Sequence, residues 1–246
     1  MRYLLLADIH GNWPAMEAVL QTTPKYDRVI FLGDAVGYYP DADRVLSWLR
    51  SEGAIGVMGN HDAWLLHLDD IDPEEQKGPI FEILRWQSER LSLENRAYLG
   101  SLPWTREVDG ALLVHGSACD PLQYVDDLDT ARAHFGCTSA RWTLHGHTHL
   151  AGTFLALEGP NGQWVRYQRQ VHGTELFLAP KARALVNPGS VGQPRDRMPG
   201  AAYAVWDSDD GSVQFFRVEF DLERILGRIL QEGFPVWLYE RLLVGR

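Results

Sequence analysis

Apolar and polar positions follow two different periods along this chain. Residues 2–7 form a short, nearly unbroken apolar run, the signature of a strand buried on both faces. Residues 13–20 follow with helical spacing at Met16, Val19 and Leu20, and Pro14 sits where the first turn of a helix tolerates it. The pattern then repeats as a strand at 28–32, a helix at 41–49 with Val45, Leu46 and Leu49 on one face, and a strand at 54–58. Strand, helix, strand, helix, strand with short links predicts parallel sheet with right-handed crossovers.

Residues 63–100 break this alternation and read as a helical insertion with acidic loops, including a helix at 80–93. A strand at 112–114, a helix at 128–135 and a strand at 141–144 come next. The second half changes period again. Runs at 152–157, 163–168, 175–178, 184–186, 201–206 and 213–219 are short strands separated by turn formers. Gly159-Pro160-Asn161-Gly162 and Asp209-Asp210-Gly211 are hairpin signals, so this half predicts antiparallel sheet. Amphipathic helices at 222–230 and 236–243 close the chain. The expected organisation is one domain over residues 1–246, with the insertion at 63–100 and a helical tail at 221–246.

In sheets of this kind, reactive groups gather where strands end at their carboxyl side. Here those ends read Asp8-Ile9-His10-Gly11-Asn12, Gly33-Asp34, Gly59-Asn60-His61-Asp62, His115-Gly116-Ser117 and His145-Gly146-His147-Thr148-His149. Carboxylate, imidazole and amide oxygen are ligands for hard or borderline divalent ions. One carboxylate can bridge two ions, and two ions can clamp the attacking and leaving oxygens of an in-line displacement. Alone, an Asp-x-His or a Gly-Asp is an ordinary turn or cap. Five such ends in one chain make coincidence a poor explanation.

Composition narrows the picture. Hydrophobic residues at 45% and charged residues at 23% describe a folded globular chain and exclude disorder throughout. With 23 Lys and Arg against 33 Asp and Glu, the net charge of -10 disfavours nucleic acid as a partner. An anionic substrate then needs a local attractor other than surface charge, which again points to metal ions. No apolar run approaches the ~18 residues of a membrane span, and residues 3–7 are too short for a signal-peptide core. Cys119 and Cys137 are too few for a disulfide framework and are read as buried thiols. The expected location is a reducing cytoplasm.

The five motifs, in this order, resemble the calcineurin-like metallophosphoesterase superfamily. The resemblance implies an α/β fold: a four-layer α/β/β/α sandwich of two mixed sheets. It also implies a metal-dependent hydrolase that cleaves phosphoester bonds by a two-metal mechanism with a bridging hydroxide. The ions are two divalent metals from among Mn, Fe, Zn, Ni, Co and Mg. Asp8, His10 and His149 look like ligands of the first metal, Asn60, His115 and His147 like ligands of the second, and Asp34 like the bridge. His61 is similar to the family's non-ligand histidine, which stabilises phosphoryl oxygens or protonates the leaving group. Asp62 sits where it could orient His61, and both are expected in the catalytic set. His145 precedes the motif and is placed outside the ligands. His67, His134 and His172 match nothing and read as surface or structural.

Departures from the family's protein phosphatases narrow the substrate. The arginine those enzymes carry shortly after Gly-Asp is absent, with Tyr38 in its place, and Asp62 replaces a glutamate. Gly37-Tyr38-Tyr39-Pro40 and the segment from Asn187 to Asp196 look like prokaryotic phosphodiesterase-type members. The expected substrate is a small or nucleotide-like phosphoester, contacted by Asn60, His61 and Arg195. Arg195 could equally pair with Asp196. Tyr38 and Tyr39 could stack on a base, though packing under the inserted helices is favoured. The apolar segment 234–239 docks either on its own chain, which is favoured, or on a second subunit, so a homo-oligomer is compatible with the sequence. A protein phosphatase or phosphomonoesterase, and a metal-binding scaffold without activity, are the competing readings.

Overall fold

The first strand, β1 (Arg2–Leu6), shows how the layers arise. Its side chains alternate in direction. Leu4 and Leu6 join a cluster with Met16, Val19, Val45 and Leu46 from helices. Tyr3 and Leu5 face the other way, against Leu113, Leu144 and Val186 of a second sheet. A strand apolar on both faces needs cover on both, and the chain supplies helices on one side and a sheet on the other. The computed structural model describes every residue except Pro73, Glu75 and Asn161.

The elements run β1, α1 (Trp13–Thr22), β2 (Arg28–Phe31), α2 (Ala42–Ser51), β3 (Ile55–Gly56), α3 (Asn60–Leu66), α4 (Pro79–Arg90) and α5 (Leu93–Gly100). Then follow β4 (Thr105–Val108), β5 (Ala111–Val114), α6 (Leu128–Cys137), β6 (Trp142–Leu144), β7 (Gly152–Gly159), β8 (Gly162–Arg169), β9 (Glu175–Phe177), β10 (Ala182–Asn187), β11 (Ala201–Asp207) and β12 (Ser212–Val218). Helices α7 (Leu222–Gln231) and α8 (Trp237–Val244) close the chain. The first sheet has the order β3-β2-β1-β11-β12-β9 and the second β4-β5-β6-β10-β7-β8. Parallel pairs β1–β2, β2–β3, β5–β6 and β6–β10 sit beside antiparallel ones, so both sheets are mixed. With α1 and α2 outside the first sheet and α6 outside the second, this is the expected four-layer sandwich.

The strands of the second half pair antiparallel with one another, as expected, and are divided between the two sheets. β11 pairs antiparallel with β1, whereas β10 pairs parallel with β6. β1 and β6 are buried strands, and each takes a second-half strand on the side its own half leaves open. One expectation needs correction: Cys119 and Cys137 are not buried thiols but are exposed and joined as a disulfide. The loop after β5 folds back against the carboxyl end of α6, a tertiary contact that spacing does not reveal. β4 escaped prediction because Thr105-Arg106-Glu107 is polar, as suits an exposed edge strand. The Gly159–Gly162 hairpin joins β7 to β8 as anticipated, although Asn161 lies outside the described residues.

The insertion and the tail meet over the motif loops. Tyr39, Ile83, Ile225, Ile229, Phe234 and Leu238 form one buried cluster. The apolar end of the chain thus docks on its own domain. Among the described residues, no helix is long and apolar enough to cross a membrane.

Candidate metal centre

The five motif loops converge at one edge of the sandwich. Asp8, His10, Asp34 and His115 are essentially inaccessible, and Asn60, His61, His147 and His149 are buried beside them. The backbone is bent sharply to bring them there. Asp8, His10, Asp34, Tyr38, His147 and His149 all have φ between +48° and +69°. Non-glycine residues rarely adopt this left-handed region, and their clustering at one spot marks a functional site. Two glycines are required by contact: a Cβ on Gly59 would lie 2.1 Å from Asp34 Oδ1, and one on Gly37 2.5 Å from His61 Nδ1.

Backbone carbonyls fix how each imidazole is presented. Nδ1 of His10 lies 2.7 Å from the Val36 carbonyl, that of His115 2.7 Å from Leu32, and that of His149 2.6 Å from Gln193. A carbonyl only accepts, so each Nδ1 carries a hydrogen and each ring turns Nε2 to the centre, bare where the ring is neutral, as at His10 and His149. His147 is held the other way, its Nε2 donating to the Leu122 carbonyl at 3.0 Å, which frees Nδ1. The consequence is an unsatisfied core. Nε2 of His10 lies 3.1 Å from Nε2 of His149, and Nε2 of His115 lies 3.2 Å from Asn60 Oδ1.

Donors group within reach of a common ion as Asp8 with His10 and His149, as Asp34 with His115 and His147, and as His10 with Asp34 and His61. Asp34 stands between the groups: its Oδ2 is 3.8 Å from His10 Nε2 and 3.4 Å from His115 Nε2. Asp8 Oδ1 is 3.5 Å from His149 Nε2, and its carboxylate accepts the His147 backbone N–H at 3.1 Å. Burial pushes His10 and His149 well below their usual range, and His61 and His147 down to about 4. Burial also pushes Asp8 up to about 7. At His115 burial opposes charge, but Asp34 and Asp8 prevail and raise the ring to about 9. The neutral imidazoles of His10 and His149, sealed from water with lone pairs facing one another beside carboxylates, are costly without a cation and fit divalent metal.

The remaining residues fall into place around this core. His61 heads α3, its backbone N–H donating to Asp34 Oδ1 at 2.9 Å and its ring packed on Trp64 at 5.0 Å between centroids. Asp62 does not orient His61. Its carboxylate accepts backbone N–H groups of Gly59 at 3.1 Å, Asp34 at 2.8 Å, Ala35 at 2.9 Å and Val36 at 3.3 Å, while His61 Nδ1 is buried without a partner. Arg195 does not pair with Asp196, which is taken by Arg217. It donates instead to Tyr38 Oη at 2.9 Å and Gln193 Oε1 at 3.2 Å. His145 is buried but belongs to none of the donor groups, as expected. His134 is structural, accepting the Ala118 N–H at 3.0 Å and contacting Thr143 Oγ1 at 3.2 Å.

Sequence reasoning missed several supports. Ser190 donates to the Asp8 carbonyl at 2.8 Å, Gln87 braces Gly37 at 2.8 Å, and Tyr124 stacks on His147 at 4.0 Å. The carbonyls of Val36, Leu32, Leu122 and Gln193 carry no side-chain signal at all. Gln87 alone had one, a polar residue on the inward face of an insertion helix.

The comparisons with known proteins agree with this geometry. A protein of Methanocaldococcus jannaschii, itself uncharacterized, is 30% identical over 98% of this chain and 97% of its own length. The crystal structure of a metallophosphoesterase from Sphaerobacter thermophilus superposes with a TM-score of 0.88 at 31% identity, covering 100% of this chain and 99% of that one. A symmetrical bis(5'-nucleosyl)-tetraphosphatase of Coxiella burnetii is 24% identical over 70% of this chain, which spans 53% of that protein. Residues 1–211 match the family model described as the calcineurin-like phosphoesterase superfamily domain. Two mixed sheets, a ring of strained strand ends and a buried nest of metal donors thus have one common explanation: the chain belongs to the calcineurin-like phosphoesterase superfamily.

Proposed function

We propose that this phosphoester hydrolase is a phosphodiesterase acting on small or nucleotide-like substrates by a two-metal mechanism. The observation that carries the reading is the facing pair of Nε2 atoms of His10 and His149 at 3.1 Å, which a shared cation relieves. Asp8, His10 and His149 would hold one ion and Asn60, His115 and His147 the other, with the Asp34 carboxylate between them. The bound ions would supply charge neutralisation at the phosphoryl oxygens and a lowered pKa for water.

The chain's own groups do the rest. His61, a neutral ring, stabilises a phosphoryl oxygen by hydrogen bonding and stays outside the ligand set, although its position beside His10 and Asp34 would also let it ligate. Trp64 holds the ring in place. Arg195 grips a phosphoryl oxygen with its guanidinium fork, and Asn60 lines the same space. Asp62 keeps the Asp34 loop against the head of α3 and acts on chemistry only through that loop. The name of the tetraphosphatase relative supports a nucleotide-like substrate.

The test is turnover of bis-p-nitrophenyl phosphate and p-nitrophenyl phosphate, run in parallel with Mn-loaded protein. Faster diester cleavage is expected. Faster monoester cleavage favours a phosphatase, and silence on both with metal bound favours a scaffold.

A further inference from the structure

We infer that Tyr38 is a positioning residue that, with Gln193, clamps Arg195 over the metal centre, so that the guanidinium meets substrate phosphate already aligned. This rests on the reading of Arg195 as the phosphate grip. Arg195 rides on the turn-rich segment after β10, whose Gln193 carbonyl holds His149. Its guanidinium reaches back across the site to the Tyr38 hydroxyl at 2.9 Å. The same nitrogen donates to Gln193 Oε1 at 3.2 Å.

Tyr38 is itself tied to the donor nest. Its ring meets His10 edge-on at 4.6 Å and lies 5.0 Å from His61. The clamp is therefore anchored on the histidines it serves. Tyr38 holds its position in the left-handed region, at φ +48°, a cost that pure packing does not require.

The guanidinium is left wanting an anion. Its partners are neutral oxygens, its Nε is buried without any partner, and the neighbouring carboxylate of Asp196 is engaged by Arg217. A cation fixed by a phenol and an amide, beside metal donors, is preorganised for a phosphoryl oxygen at small entropic cost. The long, flexible side chain of an unclamped arginine would lose much more freedom on binding.

The test measures binding and turnover separately. Inorganic phosphate is titrated by calorimetry into Mn-loaded wild type, Tyr38→Phe, Arg195→Ala and the double variant. KM and kcat are measured on bis-p-nitrophenyl phosphate, and melting curves verify the fold. Phenylalanine keeps the ring and its packing. Tyr38→Phe is expected to weaken phosphate about threefold to tenfold, the worth of one hydrogen bond, and to raise KM more than it lowers kcat. Both effects should vanish in the Arg195→Ala background. Unchanged phosphate affinity, or an undiminished effect without Arg195, overturns the clamp. If wild type cleaves no phosphoester, the phosphodiesterase reading fails instead, and the phosphate titration still decides the clamp.

Discussion

His10 and His149 stand 139 residues apart in the chain, yet their Nε2 atoms lie 3.1 Å from each other, each ring turned inward by a backbone carbonyl behind it. The Val36 and Gln193 carbonyls take the two Nδ1 hydrogens, so two lone pairs confront each other in a site closed to water. Folding without metal must bear that repulsion. His149→Ala is therefore expected to leave the metal-free melting temperature unchanged or raised. In wild type, Mn at a hundred times its dissociation constant should add about 2.7 kcal/mol of stability, and in His149→Ala most of this should disappear. Thermal melts with and without chelator check both. A large loss of metal-free stability would mean that the pair is an ordinary hydrogen bond.

His61 sits beside the donors and is assigned to hydrogen bonding the phosphoryl oxygens. His61→Ala should keep its metal and lose turnover by about 10²–10³-fold, the usual worth of one such donor. Metal analysis of the purified variant, run beside kinetics, separates this from ligation. An emptied site would make His61 a ligand.

Asp62 is expected to behave as a brace. Its carboxylate gathers N–H groups from Gly59, Asp34, Ala35 and Val36, and an amide at that place must turn donors toward donors. Asp62→Asn should cost about 1–3 kcal/mol of stability and weaken metal binding together with activity. A variant as stable as wild type that lost only turnover would restore Asp62 to an orienting role.

The bridge between Cys119 and Cys137 closes a loop with a sequence separation of 18. Constraining the unfolded chain over such a loop is worth about 3 kcal/mol. Cys137→Ser should lower stability by that order in urea titrations, and reductant should do the same to wild type. Equal midpoints with and without reductant would show that the bridge contributes nothing.

How much of this was legible depends on which contacts carry a side-chain signal. The βαβαβ start was plain because Leu4, Leu6 and Val29 sit in unbroken apolar runs, with Val45, Leu46 and Leu49 at helical spacing between them. The polar residues that the motif loops bring together were legible because strand ends collect polar groups, Asp8, His10, His147 and His149 among them. Asp62 was misjudged because adjacency to His61 suggested contact, whereas a helix turns neighbouring side chains in different directions. The exposed disulfide, the Tyr124 stack and the dealing of β10 and β11 to different sheets are tertiary outcomes without a local pattern. The arginine missing beside Asp34 was legible as an absence. That Arg195 reaches Tyr38 from 157 residues away was not.

The most direct measurement is metal content per chain after Mn loading and dialysis, for wild type and Asp34→Asn side by side. The account predicts about two ions in wild type, because one carboxylate serves two donor groups, and a clear loss at both sites when Asp34 is neutralised. One ion in wild type, or an equal count in the two proteins, would contradict it.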